Sequence, residues 1–284
     1  MTYPIGRPAS WVVTGASRGL GLHLVKHLLN RGDQVTATTR SLERLLAGLA
    51  EVDTTRLLAL EVSLADETQV DGAIAQATER FGQIDVVVNN AGYGILGAVE
   101  ETSTEAVRAM IDVQLIGTWN VIRAALPRMR AARSGHILNL SSIVGLVAFP
   151  GWGLYSAAKF AVEGLSEALA AEVADLGIGV TIIEPGYFDT SFLTDDSLAL
   201  TDAFTDAYPA IREMIAAHKA MSGTQPGDPA KAAEALVAIA QRESGPLRQQ
   251  LGSDSSDLAE SKADSLKAEV LTGRRLAHST DYVR

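Results

Sequence analysis

Three side chains with complementary chemistry stand close together in the second half of the chain: Ser142, Tyr155 and Lys159. The run His136-Ile137-Leu138-Asn139-Leu140-Ser141-Ser142 reads as a strand ending in two serines. Tyr155 follows thirteen residues after Ser142, and Lys159 four residues later, in a stretch that reads as a helix. A helical spacing of four puts both side chains on one face. An ammonium beside a phenol favours the phenolate and lowers its pKa from about 10. Tyr155 could then give a proton to a substrate oxygen, or take one from it, near neutral pH. Ser142 Oγ could hydrogen-bond the same oxygen. A tyrosine four places before a lysine also arises by chance, so the weight rests on what accompanies it.

A glycine-rich turn accompanies it: Thr14-Gly15-Ala16-Ser17-Arg18-Gly19-Leu20-Gly21, directly after the first strand-like run and opening the first helical one. Glycines allow positive φ and let the backbone approach a pyrophosphate closely. The free N–H groups and dipole of the helix start then favour negative charge. The expected cradle is Gly15, Ser17, Arg18, Gly19, Leu20 and Gly21. A carboxylate roughly 20 residues past such a turn usually holds the ribose 2′-OH of NAD. Here that place reads Thr38-Thr39-Arg40-Ser41, without a carboxylate. A guanidinium at Arg40 suits a 2′-phosphate, with Arg18 as a second cation. The turn therefore points to NADP(H) over NAD(H).

The elements that must position these groups alternate along the chain. Strand-like runs at 11–14, 34–39, 56–62, 84–88, 136–140 and 180–183 are separated by helical runs at 18–30, 42–52, 66–81, 104–132 and 152–175. A bend is expected at Pro127. Repeated βαβ units predict an α/β fold: a Rossmann-like doubly wound parallel sheet with helices on both faces, in a single domain. Past residue 185 the alternation weakens. Residues 191–221 read as an irregular-to-helical insertion, and 228–242 as a helix capped by Asp228 with Pro229 at its first position. Residues 252–257 read as a polar loop, 261–271 as a last helix and 272–284 as a polar, loose tail.

Composition narrows the classes. The chain has 284 residues, 47% of them hydrophobic and 20% charged, which suits a globular fold and argues against disorder. Its net charge of −10, without a basic run, disfavours nucleic acid and anionic membrane as partners. With no cysteine there is no disulfide and no thiol nucleophile, in keeping with a reducing, cytoplasmic setting. No apolar run approaches the roughly 20 residues of a membrane span, and the N-terminus does not read as a signal peptide. His23 and His27 are spaced i, i+4 but lack a third ligand, so no metal site is expected. Ser166 lies mid-helix and completes no nucleophile elbow.

Taken together, these motifs resemble the short-chain dehydrogenase/reductase family over about residues 9–250. The family's Thr-Gly-x-x-x-Gly-x-Gly falls on Thr14, Gly15, Gly19 and Gly21, and its Asn-Asn-Ala-Gly on Asn89, Asn90, Ala91 and Gly92. Its catalytic Ser, Tyr and Lys fall on Ser142, Tyr155 and Lys159. Its Pro-Gly falls on Pro185 and Gly186, and its nicotinamide-side threonine on Thr190. The resemblance implies reversible hydride transfer between NADP(H) and a ketone or aldehyde/alcohol pair, with Tyr155 as acid/base. Lys159 and Tyr155 would also touch the cofactor ribose.

Two positions depart from the family pattern. Gln114 replaces the Asn whose backbone carbonyl holds a water on the proton route to the lysine, and Gln supplies the same carbonyl. Glu61-Val62 replaces Asp-Val at the adenine. Val144, Phe149, Trp152, Phe188 and Phe192, together with Ser142 and Tyr155, fall where the family lines its substrate pocket. They imply a small, apolar carbonyl or alcohol substrate, lipid-like, steroid-like or aromatic. Residues 191–225 fall on the family's substrate lid. Within it Arg212 and His218 are expected in solvent. The division expected is 1–250 for the catalytic domain and 251–284 for a C-terminal extension. A homodimer or homotetramer is implied, with the alanine-rich helix 160–174 as one contact face. The alternative reading is a catalytically silent dinucleotide-binding sensor or scaffold. Such proteins lose the Tyr or the Lys, and this chain keeps both.

Overall fold

A computed structural model describes residues 3–201 and 203–282. Residues 1, 2, 202, 283 and 284 lie outside the described residues. With them lie the outer ends of the expected catalytic domain and extension, and one position of the expected lid.

Most strands of the sheet are short apolar segments. Strands β1 (Ser10–Thr14), β2 (Gln34–Thr39), β3 (Leu57–Glu61), β4 (Val86–Asn89), β6 (Gly135–Leu140), β7 (Ile178–Pro185) and β9 (Arg248–Leu251) pair in the order β3-β2-β1-β4-β6-β7-β9, every pair parallel. A second, two-stranded parallel sheet joins β5 (Gly94–Leu96) to β8 (Leu198–Leu200). The central strands are apolar on both faces because helices cover both. Along β1, Trp11 and Val13 join one core and Val12 the other, as the two-residue period of a strand requires.

On the first face, Leu24, Val25 and Leu28 of α1 (Gly19–Asn30) pack with Leu236, Val237 and Ala240 of α8 (Pro229–Gln241). On the second lie α3 (Glu67–Phe81), α5 (Gly117–Ala132) and α6 (Gly153–Val173), through Ile74, Ala125, Met129 and Leu169. Asp66 caps α3 at Gln69 N, and Asp228 caps α8 at Ala230 N with Pro229 in the first turn. A third cluster, around Ile95, Met110, Trp152, Leu198 and Ile211, sits above the carboxyl ends of the strands. It includes α7 (Pro209–Ala220). Between β1 and β4 the connections switch direction, and such a switch point is where these sheets leave a crevice.

Four local expectations are corrected. The helix α2 (Leu42–Gly48) ends short of residue 52. The expected single helix 104–132 is interrupted, but not at Pro127, which lies inside α5. The interruption is a wide π turn at Asp112–Ile116, between α4 (Thr104–Ile111) and α5. There Thr118 Oγ1 donates to the carbonyl of Gln114 (2.7 Å), and Asn120 Nδ2 to that of Leu64 (2.9 Å).

The expected polar loop at 252–257 is instead the start of α9 (Ser253–His278). Its polar side chains serve as anchors: Asp254 Oδ2 accepts from Tyr187 N (2.8 Å), and Ser255 Oγ donates to Glu184 O (2.7 Å). The expected loose tail from 272 is helical as far as His278, though exposed. Strand β9 was not expected, because Arg-Gln-Gln-Leu carries no apolar pattern. Among the described residues no helix is long and apolar enough to cross a membrane.

Candidate active site

The carboxyl ends of β1, β2, β4, β6 and β7 open into one cavity of about 720 Å³. At one end lies the glycine turn. Gly15 has φ of +65°, and a Cβ there would stand 2.7 Å from the Ala91 Cα. A Cβ on Gly21 would stand 2.5 Å from both Asn90 Nδ2 and Gly15 O. These contacts stitch the turn to the end of β4. Asn90 N and Ala91 N donate to Thr14 Oγ1 (3.0 and 3.1 Å), and Asn90 Nδ2 to Thr14 O and Gly15 O (2.9 and 3.1 Å). No side chain caps α1, and no acidic residue stands in its first turn. Its leading N–H groups therefore face the cavity without a competing carboxylate.

Three guanidinium groups gather beside this turn: Arg18, Arg40 and Arg44 all line the cavity. Burial lowers the Arg18 pKa, Asp196 opposes the shift, and Arg44 and Arg40 add to it by like-charge repulsion. Arg44 Nη1 also meets Asp196 Oδ2 at 3.1 Å, both side chains being half exposed. Three cations held in mutual repulsion form a site suited to a dense anion.

In the middle of the cavity stand Ser142, Tyr155 and Lys159. Ser142 lies two residues past the end of β6, where its Oγ caps the turn Ile143–Gly145 by accepting from Val144 N (3.3 Å). Tyr155 and Lys159 lie in α6 and are buried. Lys159 Nζ donates to Leu140 O (2.9 Å) and lies 5.6 Å from the Tyr155 ring centroid. Burial pushes the Tyr155 hydroxyl above its usual value, and the hydrogen bond with Ser142 opposes this. This corrects the expectation that the lysine lowers it: at this separation, desolvation of the phenolate prevails. Burial lowers Lys159 to about 8, against the attraction of Glu163.

The far end is aromatic. The Trp152 ring lies 5.5 Å from Tyr155 and 5.3 Å from His218, and Phe192 lies 5.8 Å from Tyr155, centroid to centroid. Val144, Phe149, Phe188 and Leu258 complete the wall. His218, expected in solvent, is half-buried here. Its Nδ1 faces Met214 O (2.8 Å), a pure acceptor, so that nitrogen carries the hydrogen and Nε2 accepts from Tyr187 OH (2.7 Å). Arg212, also expected in solvent, is held by Glu101 and stacks on Phe204.

Most of the expected site residues meet in this cavity, including Ser17, Gly19, Leu20, Val62, Gly92, Pro185, Gly186 and Thr190. Four do not line it. Gly21 lies behind the turn, where its missing side chain makes room for Asn90. Glu61 is exposed at the end of β3, and Val62, Ser63 and Leu64 take its place. Asn89 points down into a buried chain, donating to Asn139 Oδ1 (2.8 Å), whose Nδ2 donates to Ser166 Oγ (2.8 Å). Gln114 is buried behind Gly92; its Nε2 donates to Tyr93 O (2.9 Å), and its carbonyl is taken by Thr118. Sequence reasoning missed Arg44, Ser63, Leu64, Tyr93, Met214, Asp254 and Leu258. Arg44 had a signal, a second cation in the first turn of the helical run that follows Arg40; Asp254 had none.

The family model for short chain dehydrogenases matches residues 10–199. An oxidoreductase from Botryotinia fuckeliana, BOA17, is 34% identical over 94% of this chain and 97% of its own. A short-chain dehydrogenase from Streptomyces avermitilis superposes with a TM-score of 0.88 at 36% identity, over 97% of this chain and all of its own. One from Burkholderia cenocepacia, crystallised in complex with NADP, gives 0.73 at 27% identity over 94% of this chain and 97% of its own. The motifs, the seven-stranded parallel sheet and these likenesses agree: the chain belongs to the short-chain dehydrogenase/reductase family and is an oxidoreductase.

Proposed function

We propose that this enzyme uses NADP(H) to interconvert a ketone or aldehyde with its alcohol on an apolar substrate. The observation that carries the reading is a single cavity joining three guanidinium groups, an uncapped helix N-terminus, the Ser142–Tyr155–Lys159 set and an aromatic wall. The NADP-bound relative from Burkholderia cenocepacia supports the choice of cofactor.

In this reading Gly15, Ser17, Gly19 and Leu20 hold the diphosphate on backbone N–H groups. Arg18, Arg40 and Arg44 grip the 2′-phosphate, and no carboxylate ends β2 to take a 2′-OH. Val62 and Ser63 border the adenine. Asn90, Ala91, Gly92, Pro185, Gly186 and Thr190 border the ribose and nicotinamide, with Lys159 and Tyr155 at the ribose hydroxyls. Bound there, the nicotinamide ring supplies or accepts the hydride. Ser142 Oγ and Tyr155 OH hydrogen-bond the substrate oxygen, and in reduction Tyr155 donates its proton to that oxygen. Burial keeps Tyr155 protonated at neutral pH, which suits the donor role. Trp152, Phe192, Phe188, Phe149 and Val144 take the apolar body of the substrate. Trp119 and Phe160, exposed on α5 and α6, offer apolar surface to a second copy in a homodimer or homotetramer. The cysteine-free chain suits the cytoplasm.

The test is a panel of apolar ketones and aldehydes incubated with protein and NADPH, followed by nucleotide absorbance. Consumption of NADPH with at least one carbonyl, lost in Tyr155→Phe, is expected. Equal rates with Tyr155→Phe would contradict the assignment.

A further inference from the structure

Outside the cavity lining, one helical turn beyond Lys159, two carboxyl groups are buried around one guanidinium. Glu163 of α6 is 4% exposed, and Glu184 of β7 is fully buried. Arg248 reaches them from β9: its Nε donates to Glu163 Oε2 at 2.9 Å and lies 3.6 Å from Glu184 Oε1. Its Nη2 reaches Glu167, which is exposed, at 2.5 Å. Gln250 Nε2 donates to Glu184 Oε2 (2.6 Å).

Three polar atoms of this cluster are buried without a well-formed hydrogen bond: Glu163 Oε1, Ser141 Oγ, and Glu184 Oε1, whose nearest cation is Arg248 Nε at 3.6 Å. Two of them share one small space. A Cβ on Gly145 would strike Ser141 Oγ and stand 3.3 Å from Glu163 Oε1. Two ionised carboxylates in so dry a place repel each other, and a single guanidinium shared with Glu167 does not neutralise both. A proton on one carboxyl turns it into the donor that the other lacks. Burial raises both groups, Glu184 to about 7.

We propose that Glu163 and Glu184 hold one proton between them and act as positioning residues for Lys159, keeping its side chain an ammonium as the pH rises. The inference rests on the reading of Lys159 as the partner of Tyr155. Below neutrality the pair carries one negative charge. As the pH rises it releases its proton, and the second charge opposes the loss of the proton on Lys159. The charged and titratable groups around Lys159 are Tyr155, Glu163 and Glu167 on α6, Glu184 on β7 and Arg248 on β9. The end of β6 adds the hydroxyls of Ser141 and Ser142 and the Leu140 carbonyl that Lys159 bonds.

The test is the pH profile of kcat/KM for NADPH-dependent reduction by the intact protein and by Glu163→Gln, Glu163→Asp and Glu184→Gln. Glu163→Gln is expected to move the alkaline limb to lower pH by about one unit. Glu184→Gln should move it less far in the same direction, and Glu163→Asp should return it towards wild type. A limb left at the wild-type position in Glu163→Gln, whatever the level of activity, overturns the proposal. A second measurement needs neither turnover nor a folded variant. Infrared spectra of the wild-type protein should show a protonated carboxylic acid at about pH 6 that is gone by about pH 8. Absence of that band overturns the shared proton. A protein that shows the band but consumes no NADPH with any carbonyl contradicts the functional reading and leaves the proton pair standing.

Discussion

Asp254 Oδ2 accepts a hydrogen bond from the backbone N–H of Tyr187 at 2.8 Å, across 67 residues of chain. The bond fixes the loop after β7, which carries Gly186 and the aromatic residues Tyr187 and Phe188, to the first turn of α9. Asp254→Ala should free that loop. Its KM for the carbonyl substrate is expected to rise several-fold, and unfolding free energy to fall by about 1–3 kcal/mol through the unsatisfied Tyr187 N–H. Steady-state kinetics and urea unfolding check both.

Tyr155→Phe removes the hydroxyl while keeping the ring that packs on Trp152 and Phe192. Turnover should fall by about 10²–10⁴-fold, the usual worth of a positioned proton donor. NADPH affinity, read by nucleotide fluorescence, should fall far less than turnover: one ribose contact is lost while the glycine turn and the three guanidinium groups stay in place. In the wild-type enzyme, reduction should decline as pH rises through about 8, where Lys159 loses its charge.

Arg40→Ala and Arg44→Ala each remove one guanidinium from the proposed 2′-phosphate site. Each should weaken NADPH binding by about 10–100-fold, the worth of a charge-assisted hydrogen bond, and leave NADH nearly unchanged. Paired titrations of both nucleotides measure the difference. Equal losses would move these arginines out of the phosphate site.

How much of this was legible in the sequence depends on what each residue's information was. The sheet and the glycine turn were readable because buried parallel strands leave continuous apolar runs, and because Gly15 answers a backbone demand. Ser142, Tyr155 and Lys159 were readable from local spacing. Asp254, Arg248 and Gln250 were not, because their partners lie far away in the chain and their polar side chains look like those of a loop. Gln114 and Asn89 were assigned to the site by motif position, but neither lines the cavity: the Gln114 carbonyl, the group expected on the proton route, accepts from Thr118 Oγ1, and the Asn89 side chain turns to Asn139. A motif fixes where a residue sits on its element; the packing fixes where its side chain goes.

Gly15→Ala tests the turn as backbone. A Cβ there meets the Ala91 Cα at 2.7 Å, from a φ of +65° that alanine seldom adopts. The variant should lose both nucleotides together and unfold more readily by about 1–3 kcal/mol. Nucleotide titration and thermal unfolding check this.

His136 sits buried in β6, with Nε2 at 2.9 Å from Thr181 Oγ1. Burial holds its pKa down at about 4, against about 6.5 when unfolded. The folded state thus binds the proton less tightly. The stability this represents, about 3 kcal/mol, is present above about pH 6.5 and lost as the pH falls to 4. Glu184, raised to about 7, works in the other direction: it stabilises at low pH and loses that contribution as pH rises through 7. Comparing wild type with His136→Gln isolates the histidine. Between about pH 7 and pH 4.5 the wild type should lose about 2 kcal/mol more than the variant, by urea unfolding.

The most direct test of the central claim is titration of the wild-type protein with NADPH and with NADH, read by nucleotide fluorescence and by quenching of Trp152. The account predicts micromolar binding of NADPH and much weaker binding of NADH. Tighter binding of NADH would contradict the role given to Arg18, Arg40 and Arg44, and binding of neither nucleotide would contradict the proposed function as a whole.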